Sequence, residues 1–367
     1  MQTLTQIVPI LPPAVDGLGD YALNLARQLH RDWAIATQFI VANPTWAGRS
    51  EIEGFSAVCL RERSDRALQQ ILPKEGSILL HYSGYGYAQR GCPRWLATGL
   101  EEWKRGCTSE GKRALSVMFH EVYPYRRTPP WTSSFWLSGL QKQVAARLLK
   151  CSDRAFTNRE NYARLLRQLA AGEREIPVLP VPSNIGEPAV LIPWERRERS
   201  AVVFGHRNTR SRLYQNYLPQ VLETCRTFNL DTLYDIGVPT EALPPSSGEL
   251  KILAMGVLSA PEASALLGNA TIGFLSAPPP EYFGKSTVFA AYSAHGLLSV
   301  LPHSHPVAVE GLVAGQHYWA FDGTMAQITA ETGRAIAQTA YTWYQTHPLS
   351  AQAQFFARSL LLDELGE

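Results

Sequence analysis

No stretch of this chain comes near the ~20 uninterrupted apolar residues that a membrane-spanning helix requires. Pro9, Pro12 and Pro13 break the apolar run closest to its start. The same region lacks the basic leader of a secretory signal, so none is expected. Cysteine is scarce and scattered: Cys59, Cys92, Cys107, Cys151 and Cys225 are odd in number and form no C-x-x-C pair. That spacing argues against a zinc or disulfide framework and for a reducing compartment. A cytoplasmic location is expected. Internal repeats and low-complexity tracts are also missing, and 45% apolar with 18% charged residues is an ordinary globular composition.

Charge of one sign hardly dominates, since the net value is only +2, but its distribution is uneven. Residues 1–185 hold 23 Lys and Arg against 16 Asp and Glu, whereas residues 186–367 hold 11 against 16. A basic first half either meets an anionic partner (a phosphate-bearing acceptor, a membrane face, a polyanion) or is plain surface decoration.

What is present is alternation. In the first half, strands are expected at Thr5–Leu11, Ala34–Val41, Ser77–Tyr82, Ala114–His120 and Ala155–Thr157. Helices are expected at Tyr21–Leu29, Phe135–Leu149 and Asn161–Ala171. The pattern restarts with strands Ala201–Phe204, Asp231–Ile236, Lys251–Met255, Thr271–Leu275 and Leu298–Leu301. Helices Leu213–Phe228, Pro261–Leu267 and Ser286–His295 are interleaved with them. Such alternation builds βαβ units around parallel sheets. The expected fold class is α/β, with two Rossmann-like domains at 1–185 and 201–345 and a proline-bearing charged linker at 186–200. A helical tail over 346–367 is expected to pack back on the first domain. Two α/β halves of this kind place a ligand in the cleft where the carboxyl ends of their strands face each other.

Four segments could carry chemistry. The first is Pro12-Pro-Ala-Val-Asp-Gly17-Leu-Gly19-Asp20, where glycines and a helix start offer backbone N–H groups to an anion. Gly17-x-Gly19-x-x-Ala22 meets the loose dinucleotide pattern, but the second strand ends Val41-Ala-Asn-Pro without the carboxylate that NAD or FAD requires. The second is His120-Glu121, just beyond a buried strand. The third is Gly205-His-Arg207-Asn-Thr-Arg210-Ser-Arg212, three arginines in one turn and suited to phosphate. The fourth is Glu281-Tyr-Phe283-Gly284-Lys285-Ser286-Thr287, a loop running straight into a helix. Its N–H groups, dipole and lysine suit a diphosphate. Pro279 stands where a P-loop needs its first glycine, which excludes a Walker A reading.

In this order, the four segments resemble those of the retaining GT-B glycosyltransferases of the glycogen-synthase and phosphatidylinositol-mannosyltransferase kind. Further stretches similar to that family are Gly17–Arg27, Asp153–Asn158, Gly256–Leu267 and Ala270–Phe274. The resemblance implies that Gly17 and Gly19 touch donor phosphates, that His120 meets the donor sugar, and that Arg207, Arg210 or Arg212 neutralises the diphosphate. It also implies that Glu281 faces the sugar, with Phe283, Gly284, Lys285, Ser286 and Thr287 lining the donor. The family's second glutamate falls on Phe289, which accepts no hydrogen bond from a ribose, so donor identity does not carry over.

The function implied is metal-independent, retaining transfer from a nucleotide sugar, that co-substrate being the only cofactor-like partner. The runner-up is a non-catalytic relative that binds a sugar nucleotide or an active partner; an epimerase is a third class. For the acceptor, Asp20 and the aromatic loop Tyr82–Tyr87, with Tyr85 and Tyr87, are the candidates. A glycan, a lipid-linked species or a small molecule would fit; nucleic acid is not expected. Arg126–Trp131 with Phe135 and Trp136 could instead touch the inner membrane face peripherally, or simply pack.

Overall fold

A computed structural model describes residues 2–14, 16–106, 113–124, 131, 133–170, 172–276, 283–325 and 327–361. Two sequence expectations, Glu281 and the basic segment 126–130, lie outside those residues. The chain divides into two units, Met1–Pro180 with Leu349–Glu367, and Val181–Pro348. Residues 186–200, expected as a linker, begin on the second unit, where the Tyr344 hydroxyl donates to Glu187 at 2.7 Å.

The first unit opens with β1 (Thr3–Val8), α1 (Gly17–Trp33), β2 (Ala36–Val41), β3 (Glu51–Ile52) and β4 (Phe55–Cys59). It continues through α2 (Asp65–Ile71), β5 (Gly76–Tyr82), α3 (Gly84–Tyr87) and α4 (Arg94–Arg105). β6 (Arg113–Phe119), α5 (Ser133–Cys151), β7 (Arg154–Thr157) and α6 (Glu160–Leu169) complete its main run. The second unit holds β8 (Ser200–Phe204), α7 (Arg207–Thr227), β9 (Thr232–Ile236), β10 (Lys251–Gly256) and α8 (Ala260–Asn269). β11 (Ile272–Phe274), α9 (Thr287–Ala294), β12 (Leu298–Leu301), β13 (Trp319–Ala320) and α10 (Ala330–Tyr344) follow. The last helix, α11 (Leu349–Leu361), belongs to the first unit.

The first sheet runs β3-β4-β2-β1-β5-β6-β7 and the second β10-β9-β8-β11-β12-β13. Among the strands of the described residues, only the β3–β4 pair is antiparallel. Without that edge strand, both sheets share the doubly wound order third-second-first-fourth-fifth-sixth. The order reverses between β1 and β5, and again between β8 and β11. Ligands of open α/β sheets bind beyond the carboxyl ends of the strands at such reversals.

Each sheet is covered on both faces. Successive β8 residues point opposite ways, as the pleat requires. Ala201 and Val203 join Leu213, Tyr214, Ile336 and Ala337, whereas Val202 joins Ala263, Leu267, Phe289 and Tyr292. In the first unit, Ile7 packs with β5, β6 and the helices beyond, while Val8 meets Ala22, Leu23 and Ala26 of α1.

The C-terminal tail and α7 are among the helices that depart from expectation. The helical tail expected over 346–367 begins as α11 at Leu349, set off from α10 by Gln345–Pro348. Pro348 cannot continue a helix and disfavours helical backbone at the residue before it. α11 lies on α1, where the Tyr21 hydroxyl donates to Gln352 Oε1 at 2.9 Å. α7 begins six residues earlier than expected, capped by His206, whose Nδ1 accepts from the Asn208 N–H. No helix among the described residues is long and apolar enough to cross a membrane.

Candidate functional site

In the first unit, three connections gather at the strand-order reversal. The β1–α1 loop ends in Asp16, which caps α1 by accepting the Gly19 N–H at 2.9 Å. A Cβ on Gly19 would lie 2.3 Å from the Ile10 carbonyl oxygen, so that position admits no side chain. A Cβ on Gly17 would meet nothing within 4 Å. The fold thus explains Gly19 by itself and leaves Gly17 as an open, exposed position at the helix start.

Asp20 follows in the first turn of α1. Burial, then repulsion from Asp16, pushes its carboxyl up to about 6. His120 continues β6, its N–H donating to the Tyr82 carbonyl at 2.9 Å, and only 9% of it is exposed. Its Nε2 lies 3.2 Å from Nδ1 of His81, at the end of β5. Sequence reasoning missed His81. The available signal was a polar residue inside the buried run Ile78-Leu-Leu-His-Tyr82, and Gln6 breaks β1 in the same way.

Of the aromatic loop expected over Tyr82–Tyr87, Tyr82 ends β5 and Gly84–Tyr87 form the helical turn α3, and the structure separates Tyr85 from Tyr87. Tyr87 is fully buried, its hydroxyl bridging the carbonyls of Ile7 and His81 at 3.0 and 2.8 Å. It stitches β1 to β5 and offers an acceptor nothing. Tyr85 is 56% exposed and accepts from Gln141 Nε2 at 3.2 Å. Trp131 and Trp136 are more exposed still, at 85% and 70%.

In the second unit, the β8–α7 turn and the start of α9 are neighbours. A Cβ on Gly205 would lie 3.0 Å from Val288 Cγ2, and the Phe204 N–H donates to the Tyr292 hydroxyl at 3.0 Å. The fourth segment therefore meets the third. Phe283 is buried and packs at a tilt against Phe289 and Tyr318, with ring centroids 4.7 and 4.9 Å apart, which anchors the turn. Ser286 caps α9 by accepting the Phe289 N–H at 3.1 Å. Thr287 and Val288 then supply first-turn N–H groups that have no intrahelical acceptor. Lys285 and Thr287 are half-buried beside them.

One amide of that turn is already engaged. Gly284 N–H donates to Glu310 Oε2 at 2.9 Å, a carboxylate from the β12–β13 connection that sequence reasoning did not connect with this segment.

The arginine cluster expected at the β8–α7 turn is corrected by the helix that carries it. Arg207, Arg210 and Arg212 occupy the first two turns of α7, where each residue rotates the side chain by about 100°. Arg207 and Arg212 are exposed, whereas Arg210 turns inward. Its guanidinium binds Asp235, the Gly205 carbonyl at 3.0 Å and the Val238 carbonyl. Phe289 is likewise inside, 0% exposed and packed on Phe283 and Trp343.

No family model and no curated protein matches the sequence. Solved structures do. A glycosyltransferase from Rickettsia africae superposes with a TM-score of 0.63 at 14% identity, covering 98% of both chains. An α-glucosyltransferase in complex with UDP and a 13-mer DNA gives 0.58 at 10% identity, covering 98% of this chain and 99% of that one. The chain has the GT-B fold. A putative UDP-N-acetylglucosamine 2-epimerase from Listeria monocytogenes also matches, with a TM-score of 0.58 at 12% identity over 100% and 97% of the two chains. The GT-B fold is thus common to transferases and to at least one protein named for a different sugar-nucleotide reaction. What this chain does turns on its own side chains.

Proposed function

We propose that the chain transfers a sugar from a nucleotide-sugar donor to an acceptor, with retention and without a metal. The observation that carries this reading lies in the second unit: the Gly205–Arg207 turn and the start of α9 adjoin one another at the strand-order reversal. First-turn N–H groups, Lys285 and Arg207 at such a place suit a nucleoside diphosphate. The departing diphosphate gains negative charge in the transition state, and fixed donors there lower the barrier directly. In the first unit, His120 is assigned to the donor sugar, and Asp20 and Tyr85 to the acceptor. Gly17 and Gly19 are assigned to the donor phosphates, as is Arg212 beside Arg207, with Glu281 facing the sugar. Attack on the sugar's front face needs no protein nucleophile, the leaving phosphate accepting the acceptor's proton.

The structural neighbours support sugar-nucleotide chemistry in general, and the UDP in one of them supports a nucleoside diphosphate. A glycan, lipid-linked or small-molecule acceptor fits the basic first half, and exposed Trp131 and Trp136 support peripheral membrane contact. His120→Ala, Lys285→Ala and Glu281→Ala are each expected to abolish transfer while leaving the fold intact. The assay supplies a panel of nucleotide sugars with glycan, lipid-linked and duplex-DNA acceptors, with and without a chelator. Near-normal turnover in all three variants would sink the assignment.

Two observations favour a second reading, a non-catalytic sugar-nucleotide binder. Phe289 is buried where a ribose contact would be expected, and Glu310 occupies the Gly284 amide. Calorimetry showing binding without turnover would select it, and donor turnover without an acceptor would select an epimerase.

A further inference from the structure

A file of buried polar side chains crosses the first sheet below His120. The Gln6 amide nitrogen donates to Thr37 Oγ1 at 3.5 Å, and Gln6 Oε1 lies 2.7 Å from His81 Nε2. His81 Nδ1 lies 3.2 Å from His120 Nε2. Gln6 and His81 are 0% exposed, Thr37 4% and His120 9%. Polar groups this deep are costly unless each has a partner, so the file constrains its members strongly.

The donors and acceptors can be assigned in sequence. An amide oxygen only accepts, which puts the His81 proton on Nε2. Burial, and then the neighbouring His120, holds His81 well below the usual histidine range, so it stays neutral. His81 Nδ1 is therefore a lone pair, and His120 Nε2 must be the nitrogen that donates to it. His120 Nδ1 is then the nitrogen without a proton while the ring is neutral.

Orientation is fixed from a second side. The Tyr21 ring meets His81 and His120 edge-on, with centroids 5.5 and 5.0 Å away. The Tyr21 hydroxyl is held in turn by Gln352 of α11. Glu121, next in the chain to His120, accepts from Ser83 Oγ at 2.9 Å.

We propose that His81 is a positioning residue for sugar transfer, fixing the tautomer and ring orientation of His120 so that its Nδ1 accepts from a donor-sugar hydroxyl. This rests on the reading of His120 as the sugar contact. The test combines long-range ¹H–¹⁵N spectra of histidine-labelled full-length protein, with His120→Asn to assign the signals, and transfer kinetics. His120 is expected to show a protonated, slowly exchanging Nε2 and an unprotonated Nδ1. In His81→Phe, which keeps an aromatic ring in place, the protection is lost and kcat falls by about 10–100-fold, as when a ligand's orienting partner is removed. The donor KM moves by less than roughly threefold, because binding is not what the pair supplies. His81→Asn, whose amide oxygen can replace Nδ1, restores most of kcat. A His120 proton on Nδ1, or a wild-type kcat in His81→Phe, would overturn the proposal. The spectra report on the unmodified protein whether or not it turns over a nucleotide sugar, so failure of this proposal is distinct from failure of the transferase reading.

Discussion

Arg210 and Asp235 form an ion pair whose side chains are 1% and 3% exposed, with the Tyr214 hydroxyl donating to the second carboxylate oxygen at 2.7 Å. The pair joins the first turns of α7 to the end of β9. Removing one member leaves a buried charge without its partner, which costs about 3–5 kcal/mol. Arg210→Met and Asp235→Asn should each lose that much in chemical denaturation. Combining them should cost less than the sum. Wild-type stability in Arg210→Met, with weakened binding of nucleoside diphosphates, would return this arginine to the donor site.

Gly17 and Gly19 separate a ligand contact from a packing constraint. A methyl group at position 19 would press on the Ile10 carbonyl, whereas position 17 is open. Gly19→Ala should therefore lower the melting temperature by several degrees, as a strained backbone contact does. Gly17→Ala should melt within about 0.5 kcal/mol of the parent. If donor phosphates approach this loop, it should bind them several-fold more weakly. A change in neither quantity for Gly17→Ala would remove Gly17 from the site.

The alternation of strands and helices was legible because buried parallel strands are short, continuous apolar runs. β12 falls at Leu298–Leu301, as expected from the sequence. Within 51–105, β5 falls where a strand was expected, but β3, β4, α2 and α4 were not anticipated. β3 and β4 are 2 and 5 residues long, and α2 has one buried residue, Leu68, so none carries a periodic signal. Side-chain direction was the larger failure. Arg210 and Tyr87 have residue types that suit ligands, but helix rotation and close backbone carbonyls turn them inward. The His81–His120 contact joins residues 39 apart through sheet register, which no local pattern reports.

Asp20 should make stability depend on pH. Its carboxyl titrates near 6 in the folded chain against an ordinary 3.8, because burial and Asp16 disfavour the charge. Below the lower value both states are protonated and the native state keeps its full stability. As pH rises toward 6 the unfolded chain ionises first, and stability is lost. A rise of this size corresponds to about 3 kcal/mol at most. Partial exposure of the carboxyl reduces that to on the order of 1 kcal/mol. Asp20→Asn should match the parent at pH 3 and exceed it by that amount above pH 6.5 in thermal melts. Parallel curves across this range would show that Asp20 is well solvated.

The resemblance read from the sequence puts Phe289 at that family's second glutamate, and the obvious experiment is to put one back. The structure predicts that this fails. The ring is 0% exposed and lies 4.7 Å from Phe283 and 5.7 Å from Trp343, centroid to centroid. Phe289→Glu removes those contacts and confronts an apolar core with a carboxyl group. Loss of the ring alone costs about 3–5 kcal/mol, and the unpaired polar group adds to it. Phe289→Leu should cost less than about 2 kcal/mol, since most of the volume is kept. The pair of variants distinguishes a packing role from a ligand-facing one. If Phe289→Glu melts like the parent and binds a nucleoside diphosphate sugar more tightly, α9 presents this position outward and the family contact can be restored. If it unfolds while Phe289→Leu does not, the ribose of any donor must be held by other residues. Recognition of the nucleoside then differs from the family pattern even where the diphosphate end resembles it.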